Sequence, residues 1–249
     1  MSLDHGYQED NPGLGYERVK YHHGSTYKDG STVIVVPTRG QPWQPSLNVR
    51  FVQCLMGLIA PMNQKRAVLW ACGHEVGKAY NEMIASVLAD PGLSQWKYIM
   101  CIEDDMIVPP DAHVRLLESI EEGNFDGVSG MYFTKGDFNM PMAYGDPAEY
   151  AKTGVLDFKP LDVRGALERG TVIPVNGIAQ GCALFRMELF RKVPGPWFNT
   201  VADVVDGKPM AFTQDLNFAH RAVSQHAARF AVDCRVKCGH LDINTGTVY

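Results

Sequence analysis

Three consecutive carboxylates interrupt an apolar stretch near the middle of the chain. Residues 98–102 (Tyr-Ile-Met-Cys-Ile) have the length of a strand, Glu103, Asp104 and Asp105 follow at once, and a short apolar run then leads to Pro-Pro-Asp. Adjacent carboxylates repel one another, so at the end of a buried strand they lower stability unless a cation or several hydrogen-bond donors compensate. Oxygen ligands of this kind suit Mg²⁺ or Mn²⁺, which few protein groups hold and substrate phosphates complete. The stretch therefore favours a metal-diphosphate site over an acidic surface turn.

Strand-length apolar runs alternate with helical patterns on both sides of this stretch. Strands are predicted at 32–36, 66–72, 98–102 and 126–133, and helices at 47–59, 79–88 and 111–119. In the last of these helices we expect Val114, Leu116 and Leu117 to face the core. A continuous run such as Thr-Val-Ile-Val-Val at 32–36 is typical of a parallel strand buried on both faces. The alternation predicts an α/β fold with a mainly parallel central sheet, whose ligands bind at the carboxyl ends of the strands.

The pattern changes in the second half of the chain. Residues 135–170 are rich in Gly, Pro, Asp and Tyr, and their weak periodicity predicts long loops or a small antiparallel excursion, a kind of segment that covers a site and selects a substrate. Further elements are predicted at 171–175, 179–186, 187–193, from Thr213 onward and at 229–233. We expect a single catalytic domain at 32–249, with a nucleotide-binding half (32–133) and an acceptor and metal-completing half (134–249). An irregular arm at 1–31 precedes it.

Charge and hydropathy bear on partners and location. The formal net charge is -5 at pH 7 and Lys and Arg form no block, whereas sequence-independent nucleic-acid binding depends on clustered cations. Nucleic acid is therefore not favoured as a partner, although DNA as an acceptor stays open. No run approaches the roughly 20 apolar residues that span a bilayer, and the polar first residues do not resemble a secretory signal. With scattered cysteines, the sequence predicts a cytoplasmic protein without an integral membrane segment.

Candidate ligand-binding residues follow the ends of the first two strands. Thr38 offers a hydroxyl, Arg39 a planar donor fork suited to phosphate or a base edge, and Gly40 a backbone that a ligand can approach closely. Lys78 and Asn81 lie about one turn apart at the start of a helix, where phosphate binds well. Both sets of residues also have an interpretation without a ligand. The first could be an ordinary loop after a strand, and Lys78 and Asn81 could be a solvated Lys and an Asn that competes locally for backbone hydrogen bonds.

Three residues in the last third of the chain are further candidates. Asp215 lies in the first turn of a helix that Thr213 is expected to cap, where a carboxylate is favourable even as a simple partner of the helix dipole. His240 is a ligand candidate if the fold brings it to Asp105. Trp197 lies in an aromatic loop that either closes the core or offers a platform for a sugar or base.

The order of these features, from about residue 33 to 242, resembles the GT-A class of nucleotide-sugar glycosyltransferases, particularly the inverting group whose first strand ends in Pro-Thr-Arg. In this class an Asp-x-Asp motif holds a divalent ion against the donor diphosphate, and Glu-Asp-Asp at 103–105 looks like a variant of it. The resemblance implies a Rossmann-related three-layer sandwich, Mn²⁺ or Mg²⁺ as cofactor and a nucleoside diphosphate sugar as donor, with a UDP-sugar favoured. It leaves the acceptor unknown.

The resemblance also implies roles for individual residues. Asp105 would bind the metal ion, His240 would complete the metal site, and Asp215 would be the general base, although the Glu that usually precedes it is Gln here. Residues that match the nucleotide-binding side are Pro37, Thr38, Arg39, Lys78, Asn81, Glu103 and Asp104. Residues assigned to the acceptor side are Gly181, Trp197 and Gln214.

Other functions fit parts of the same pattern. A nucleotidyltransferase on a related fold would also use a metal ion and a sugar phosphate, but it usually has a Gly-rich loop after the first strand, and residues 37–42 (Pro-Thr-Arg-Gly-Gln-Pro) are not such a loop. A non-catalytic nucleotide-sugar binding protein would keep the metal site without turnover. A metal-dependent phosphohydrolase is a third alternative. A retaining outcome also stays open, because GT-A folds host both stereochemistries.

Overall fold

The structure is a computed structural model that describes residues 29–41, 44–205 and 208–249. The irregular arm expected at 1–31 therefore lies outside the described residues as far as residue 28. Within the described ranges, no helix combines the length and apolar character needed to cross a membrane.

The secondary structure alternates between strands and helices, as the sequence predicts. The strands are β1 (Thr32–Gln41), β2 (Gln44–Ser46), β3 (Arg66–Cys72), β4 (Tyr98–Ile102), β5 (Met106–Ile107), β6 (Gly127–Met131), β7 (Ala143–Tyr144), β8 (Val172–Val175), β9 (Gly177–Ile178), β10 (Cys182–Arg186), β11 (Val201–Val205), β12 (Lys208–Phe212), β13 (Phe230–Lys237) and β14 (Gly239–His240). The helices are α1 (Val49–Gly57), α2 (Val76–Ala89), α3 (Ala112–Glu122), α4 (Pro147–Thr153), α5 (Arg164–Arg169), α6 (Met187–Lys192) and α7 (Gln214–His226). The segment predicted to form long loops or a small antiparallel excursion contains β7, which pairs antiparallel with β9, and the helices α4 and α5.

The central sheet has the strand order β3-β1-β4-β10-β6-β13-β8, and β2 pairs with the end of β1. Strands β3, β1 and β4 are parallel to one another, as are β6 and β13. Strand β10 runs antiparallel between β4 and β6, and β8 runs antiparallel at one edge. The predicted α/β fold with a mainly parallel central sheet is confirmed.

Helices cover both faces of this sheet, which explains the continuous apolar runs. In β4, Ile99 and Cys101 pack into a core with α2, α6 and α7, whereas Met100 and Ile102 pack into a second core with α1 and α3. Successive side chains of a strand point to opposite faces, so a strand covered on both sides needs apolar residues at every position. The chain therefore forms three layers.

The inward face of α3 differs from the one expected. Leu116 and Leu117 are buried as predicted, but Val114 is 37% exposed, and the expectation that it faces the core is wrong. Ala112 and Ile120 face the sheet with Leu116, at intervals of four residues. Positions four apart share one side of a helix, so Val114, two positions from Leu116, lies on another side.

Candidate functional site

A cavity of about 460 Å³ opens at the carboxyl ends of β1 and β4. Its wall is formed by the end of β1, the turn into α2, the three acids after β4 and the first residue of α7. The lining residues are Pro37, Thr38, Arg39, Gly40, Gly73, His74, Val76, Glu103, Asp104, Asp105 and Gln214. The volume lies within the usual range for small-ligand sites, and the position is the one at which open α/β sheets bind ligands.

Arg39 links the end of β1 to the acids after β4. Its backbone N–H donates to Oδ2 of Asp104 at 3.0 Å, and its guanidinium donates to Oδ2 of Asp105 at 2.7 Å. Burial raises the pKa of Asp104, and these contacts with Arg39 oppose that shift. The guanidinium therefore lies in the cavity wall beside the acids, and its planar donor fork suits a phosphate group.

Asp105 is the centre of a cluster of cationic and basic groups. Its Oδ2 atom also accepts a hydrogen bond from Nζ of Lys135 at 2.5 Å and lies 3.8 Å from Nε2 of His240. Its Oδ1 atom is buried, with no hydrogen-bond partner among the described residues. A buried carboxylate oxygen without a partner is a costly arrangement that a bound cation would relieve.

The backbone positions His240 beside Asp105. The short ladder between β5 and β14 pairs His240 with Met106, and the N–H of Leu241 donates to the carbonyl of Asp105 at 2.8 Å. Nδ1 of His240 lies 2.9 Å from the carbonyl of Phe133, which only accepts, so Nδ1 carries the hydrogen and, in the neutral ring, Nε2 carries the lone pair. Burial lowers the pKa of His240, which favours the neutral ring.

These features fit a divalent ion held by two protein side chains. Metal-binding histidines usually donate their other N–H to a carbonyl, as His240 does to Phe133. The described ranges contain no group of three or more His, Cys, Asp or Glu side chains arranged for a metal. An ion at Asp105 and His240 would therefore depend on ligand oxygens, as Mg²⁺ commonly does with substrate phosphates.

Glu103 is half-buried and lines the cavity beside the other two acids. Burial raises its pKa to about 8, and the nearby carboxylates of Asp105 and Asp215 contribute to the shift. Its backbone N–H donates to the carbonyl of Gly181 at 3.0 Å. Gly181 in turn donates to the Tyr132 hydroxyl at 2.8 Å, and a Cβ at this position would come within 2.6 Å of that oxygen. A side chain would clash at this position, so only glycine fits. The Gly181 backbone, directly before β10, thereby stays hydrogen-bonded to Glu103.

Asp215 is the second residue of α7 and follows Gln214, which lines the cavity. Its Oδ1 accepts hydrogen bonds from the Thr213 hydroxyl and from the N–H of Leu216. Thr213 occupies the N-cap position, as predicted, but its side chain bonds Asp215 and makes no cap hydrogen bond to the backbone. Burial raises the pKa of Asp215, and these hydrogen bonds partly oppose the effect.

The structure does not bring Lys78 and Asn81 into the lining of the cavity. Nζ of Lys78 is 3.7 Å from Glu82, and the side chain is 60% exposed. Oδ1 of Asn81 accepts from the N–H groups of Trp197 and Phe198, and its Nδ2 donates to the carbonyl of Phe198 at 2.8 Å. Asn81 therefore holds the 197–198 loop against α2, a contact between distant segments that helical spacing does not reveal.

Trp197 belongs to the core. The residue is 8% exposed, and its Nε1 donates to the carbonyl of Val193 at 2.8 Å. Its ring packs edge-on against Phe190. Of the two interpretations of this loop, the structure supports closure of the core, so the acceptor-side expectation for Trp197 does not fit its burial.

Lys135 is a site residue that the sequence interpretation missed, because it was grouped with the loop segment. It follows β6, which runs in the same direction as β4 across the intervening β10, so its placement near the acids could have been inferred from the shared carboxyl edge. A larger cavity of about 770 Å³ lies at the far end of α7. No Asp or Glu lines it, and the acids and His240 are elsewhere, so it is not the candidate site.

No family model matches the chain, and no curated protein matches it. Solved structures do. A197 from STIV superposes with a TM-score of 0.56 at 15% identity, covering 88% of this chain and 92% of that one. GalNAc-T7 in complex with UDP, GalNAc and Mn²⁺ superposes with a TM-score of 0.52 at 10% identity, covering 85% of this chain and 44% of that one. The chain has a GT-A-like fold. At these identities the likeness concerns the glycosyltransferase-like fold, and this chain spans less than half of the GalNAc-T7 chain.

Proposed function

We propose that this chain is a metal-dependent glycosyltransferase that moves a sugar from a nucleoside diphosphate sugar to an acceptor hydroxyl, with inversion at the anomeric carbon. The observation that carries the proposal is the juxtaposition of Asp105 and His240 at the carboxyl edge of a GT-A-like sheet. Asp105 has one buried oxygen without a described partner, and Nε2 of His240 lies 3.8 Å from its other oxygen. Neither an acidic turn nor a structural ion pair requires that arrangement.

Asp105 and His240 would hold Mn²⁺ or Mg²⁺, and the bound ion would supply Lewis-acid stabilisation of the departing diphosphate. Arg39 and Lys135 contribute two further positive charges at the same carboxylate. Positive groups held in place where negative charge develops stabilise a transition state without further reorganisation. Pro37, Thr38 and Asp104 would form the nucleoside side of the cavity.

Asp215 would act as the general base. As the acceptor oxygen forms its bond to the anomeric carbon, the bond from that carbon to the diphosphate breaks and the hydroxyl proton passes to the Asp215 carboxylate. The raised pKa of Asp215 supports this role, because a more basic carboxylate accepts a proton more readily. Gln214 and Gly181 would lie on the acceptor side.

The donor is tested with a panel of UDP, GDP, CDP, ADP and TDP, each with Mn²⁺, Mg²⁺ or EDTA. UDP with Mn²⁺ is the first combination, since both occur in the GalNAc-T7 structure. A nucleotide at about 100 times its dissociation constant adds roughly 2.7 kcal/mol of stability, which thermal unfolding detects. We expect one nucleotide to stabilise the chain only with a metal ion, and the corresponding sugar nucleotide to be turned over.

Other outcomes identify the alternatives. Metal-dependent binding without hydrolysis or transfer would indicate a nucleotide-sugar binding protein. Release of pyrophosphate from a nucleoside triphosphate and a sugar phosphate would indicate a nucleotidyltransferase. No stabilisation by any nucleotide would contradict the proposal.

A further inference from the structure

Two cations share one carboxylate oxygen at the centre of the candidate site. The Arg39 guanidinium donates to Oδ2 of Asp105 at 2.7 Å, and Nζ of Lys135 donates to the same atom at 2.5 Å. A carboxylate oxygen offers about two lone pairs, so the two cations leave no free position on it. Nε2 of His240 lies 3.8 Å from this oxygen. A metal ion shared by Oδ2 and His240 can therefore bind only if one of the two cations leaves.

Lys135 is held less firmly than Arg39. The Arg39 side chain also lies 3.6 Å from Oδ1 of Asp104, and its backbone N–H donates to the same carboxylate at 3.0 Å. Within the described ranges the Lys135 ammonium hydrogen-bonds to Asp105 alone, and the side chain is 30% exposed. Lysine carries its charge on a flexible four-carbon stem, whereas the guanidinium fork is planar and preorganised. Lys135 is thus the cation that an incoming metal ion displaces.

The backbone around Lys135 also supports His240. The N–H of Thr134 donates to the carbonyl of Met140 at 2.8 Å, and the N–H of Met140 donates to the Thr134 hydroxyl at 2.8 Å, which closes a short loop. The carbonyl of Phe133, one residue earlier, lies 2.9 Å from Nδ1 of His240. The ammonium can leave Asp105 by rotation of the Lys135 side chain alone, while the loop and His240 keep their positions.

A displaced ammonium group needs another anion. A divalent ion held by few protein groups is completed by substrate phosphates, so a diphosphate on this ion would lie beside the carboxylate that Lys135 leaves. An ammonium group is a common phosphate ligand and forms charge-assisted hydrogen bonds to phosphate oxygens. The diphosphate is therefore the anion that Lys135 can bind next.

We propose that Lys135 is the counter-ion of Asp105 before metal binds, that the metal ion displaces it, and that its ammonium group then binds the diphosphate of the donor. The inference rests on the proposed function, since it concerns the same metal ion and donor. It adds a direction for each affinity. Lys135 weakens binding of the metal ion alone and strengthens binding of the nucleoside diphosphate once the ion is bound, so metal and nucleotide bind cooperatively.

The test measures the two affinities separately in the native chain and in Lys135→Met. Binding of Mn²⁺ alone is followed by electron paramagnetic resonance of the free ion, and binding of UDP at saturating Mn²⁺ by calorimetry. If another nucleoside diphosphate stabilises the chain in the panel above, it replaces UDP. We expect the variant to bind Mn²⁺ alone about fivefold more tightly, because the ion no longer has to break the pair. It should bind UDP about tenfold more weakly, because a charge-assisted hydrogen bond is lost.

Two further variants are controls. Lys152→Met makes the same change in net charge by removing an exposed ammonium that lies 2.7 Å from Glu149 on α4. It should leave both affinities unchanged. Lys135→Arg keeps a cation on the same loop and should retain the weak Mn²⁺ affinity of the native chain. Thermal unfolding without ligand shows whether each variant is folded, and the partly exposed Lys135 pair contributes too little for its loss to prevent folding.

Two results would overturn the inference while leaving the proposed function intact. One is an unchanged or weaker Mn²⁺ affinity in Lys135→Met, which would indicate that the ion enters at the buried Oδ1 of Asp105 without displacing Lys135. The other is an unchanged UDP affinity, which would show that the ammonium group does not reach the diphosphate. If no nucleotide binds the native chain even with a metal ion, the proposed function fails, and this inference fails with it.

Discussion

Replacing Asp105 with Asn is expected to abolish ligand binding with a modest effect on stability. Oδ2 of Asp105 pairs with Arg39 and Lys135, whose side chains are 44% and 30% exposed. Pairs in which the cation is in contact with solvent contribute up to ~1 kcal/mol each. Asn keeps a polar atom at the buried Oδ1 position, so the substitution does not recover the cost of that unpartnered atom. The free energy of unfolding should therefore fall by about 1–2 kcal/mol, the sum of the two lost pairs.

The same substitution removes the carboxylate that we propose as a ligand of the metal ion. The stabilisation of roughly 2.7 kcal/mol expected for the native chain at 100 times the dissociation constant should therefore disappear. The measurement is urea unfolding followed by tryptophan fluorescence, with and without the nucleotide and Mn²⁺.

Asp233→Asn is the matched control. Asp233 is fully buried, and its oxygens accept hydrogen bonds from Ser119 at 2.7 Å and from Arg235 at 2.9 Å and 3.0 Å. Breaking a satisfied buried pair should lower stability by about 3–5 kcal/mol, while the gain on adding nucleotide stays the same. If Asp105→Asn instead lost more than about 3 kcal/mol without ligand, Asp105 would be a structural ion-pair residue and the reasoning would be refuted.

Three further predictions concern single residues. Asp215→Asn should reduce transfer by about 10²–10⁴-fold and spare nucleotide binding; retained transfer in a turnover assay would exclude Asp215 as the base. Burial lowers the pKa of His113 from 6.5 to about 4, which favours the neutral ring in the folded state. As the pH falls from 6.5 to 4, the folded state should therefore lose ~3 kcal/mol of stability relative to the unfolded state. Urea unfolding of the His113→Gln variant over the same pH range should not show this loss. Asn81→Ala removes hydrogen bonds to the backbone of the 197–198 loop and should lower the free energy of unfolding by ~2–3 kcal/mol in the same assay. The control Lys78→Ala should change it by less than about 0.5 kcal/mol. Equal effects of the two substitutions would contradict the structural role of Asn81.

The strands of the central sheet were predictable because burial on both faces leaves a strong local signal. Strands β3 and β4 have the bounds that their apolar runs indicated. The direction of β10 was not predictable, because a strand covered on both faces has the same composition whether it runs parallel or antiparallel. The inward face of α3 was predicted in part, since Val114 is as apolar as its buried neighbours and only packing distinguishes them.

The candidate site was predictable where its residues are adjacent in sequence. The acids at 103–105 and the end of β1 lie together on one cavity wall, as their positions after parallel strands indicated. The proximity of His240 to Asp105 could only be stated as a condition, since the two residues are 135 positions apart in the sequence and the short β5–β14 ladder brings them together. The partners of Asn81, Trp197 and Lys135 also depend on distant segments, which no local pattern encodes.

The position of β10 has a consequence for folding during synthesis. This strand lies between β4 and β6, although it is made more than 50 residues after them. Until it emerges, β4 keeps one unpaired edge and β6 keeps two, because the other neighbour of β6, β13, is made later still. Such edges are templates for association with other chains. The first half of the chain cannot complete its own sheet. A nascent chain or a fragment that stops before residue 182 should therefore aggregate, and longer segments should become soluble once they include both β10 and β13.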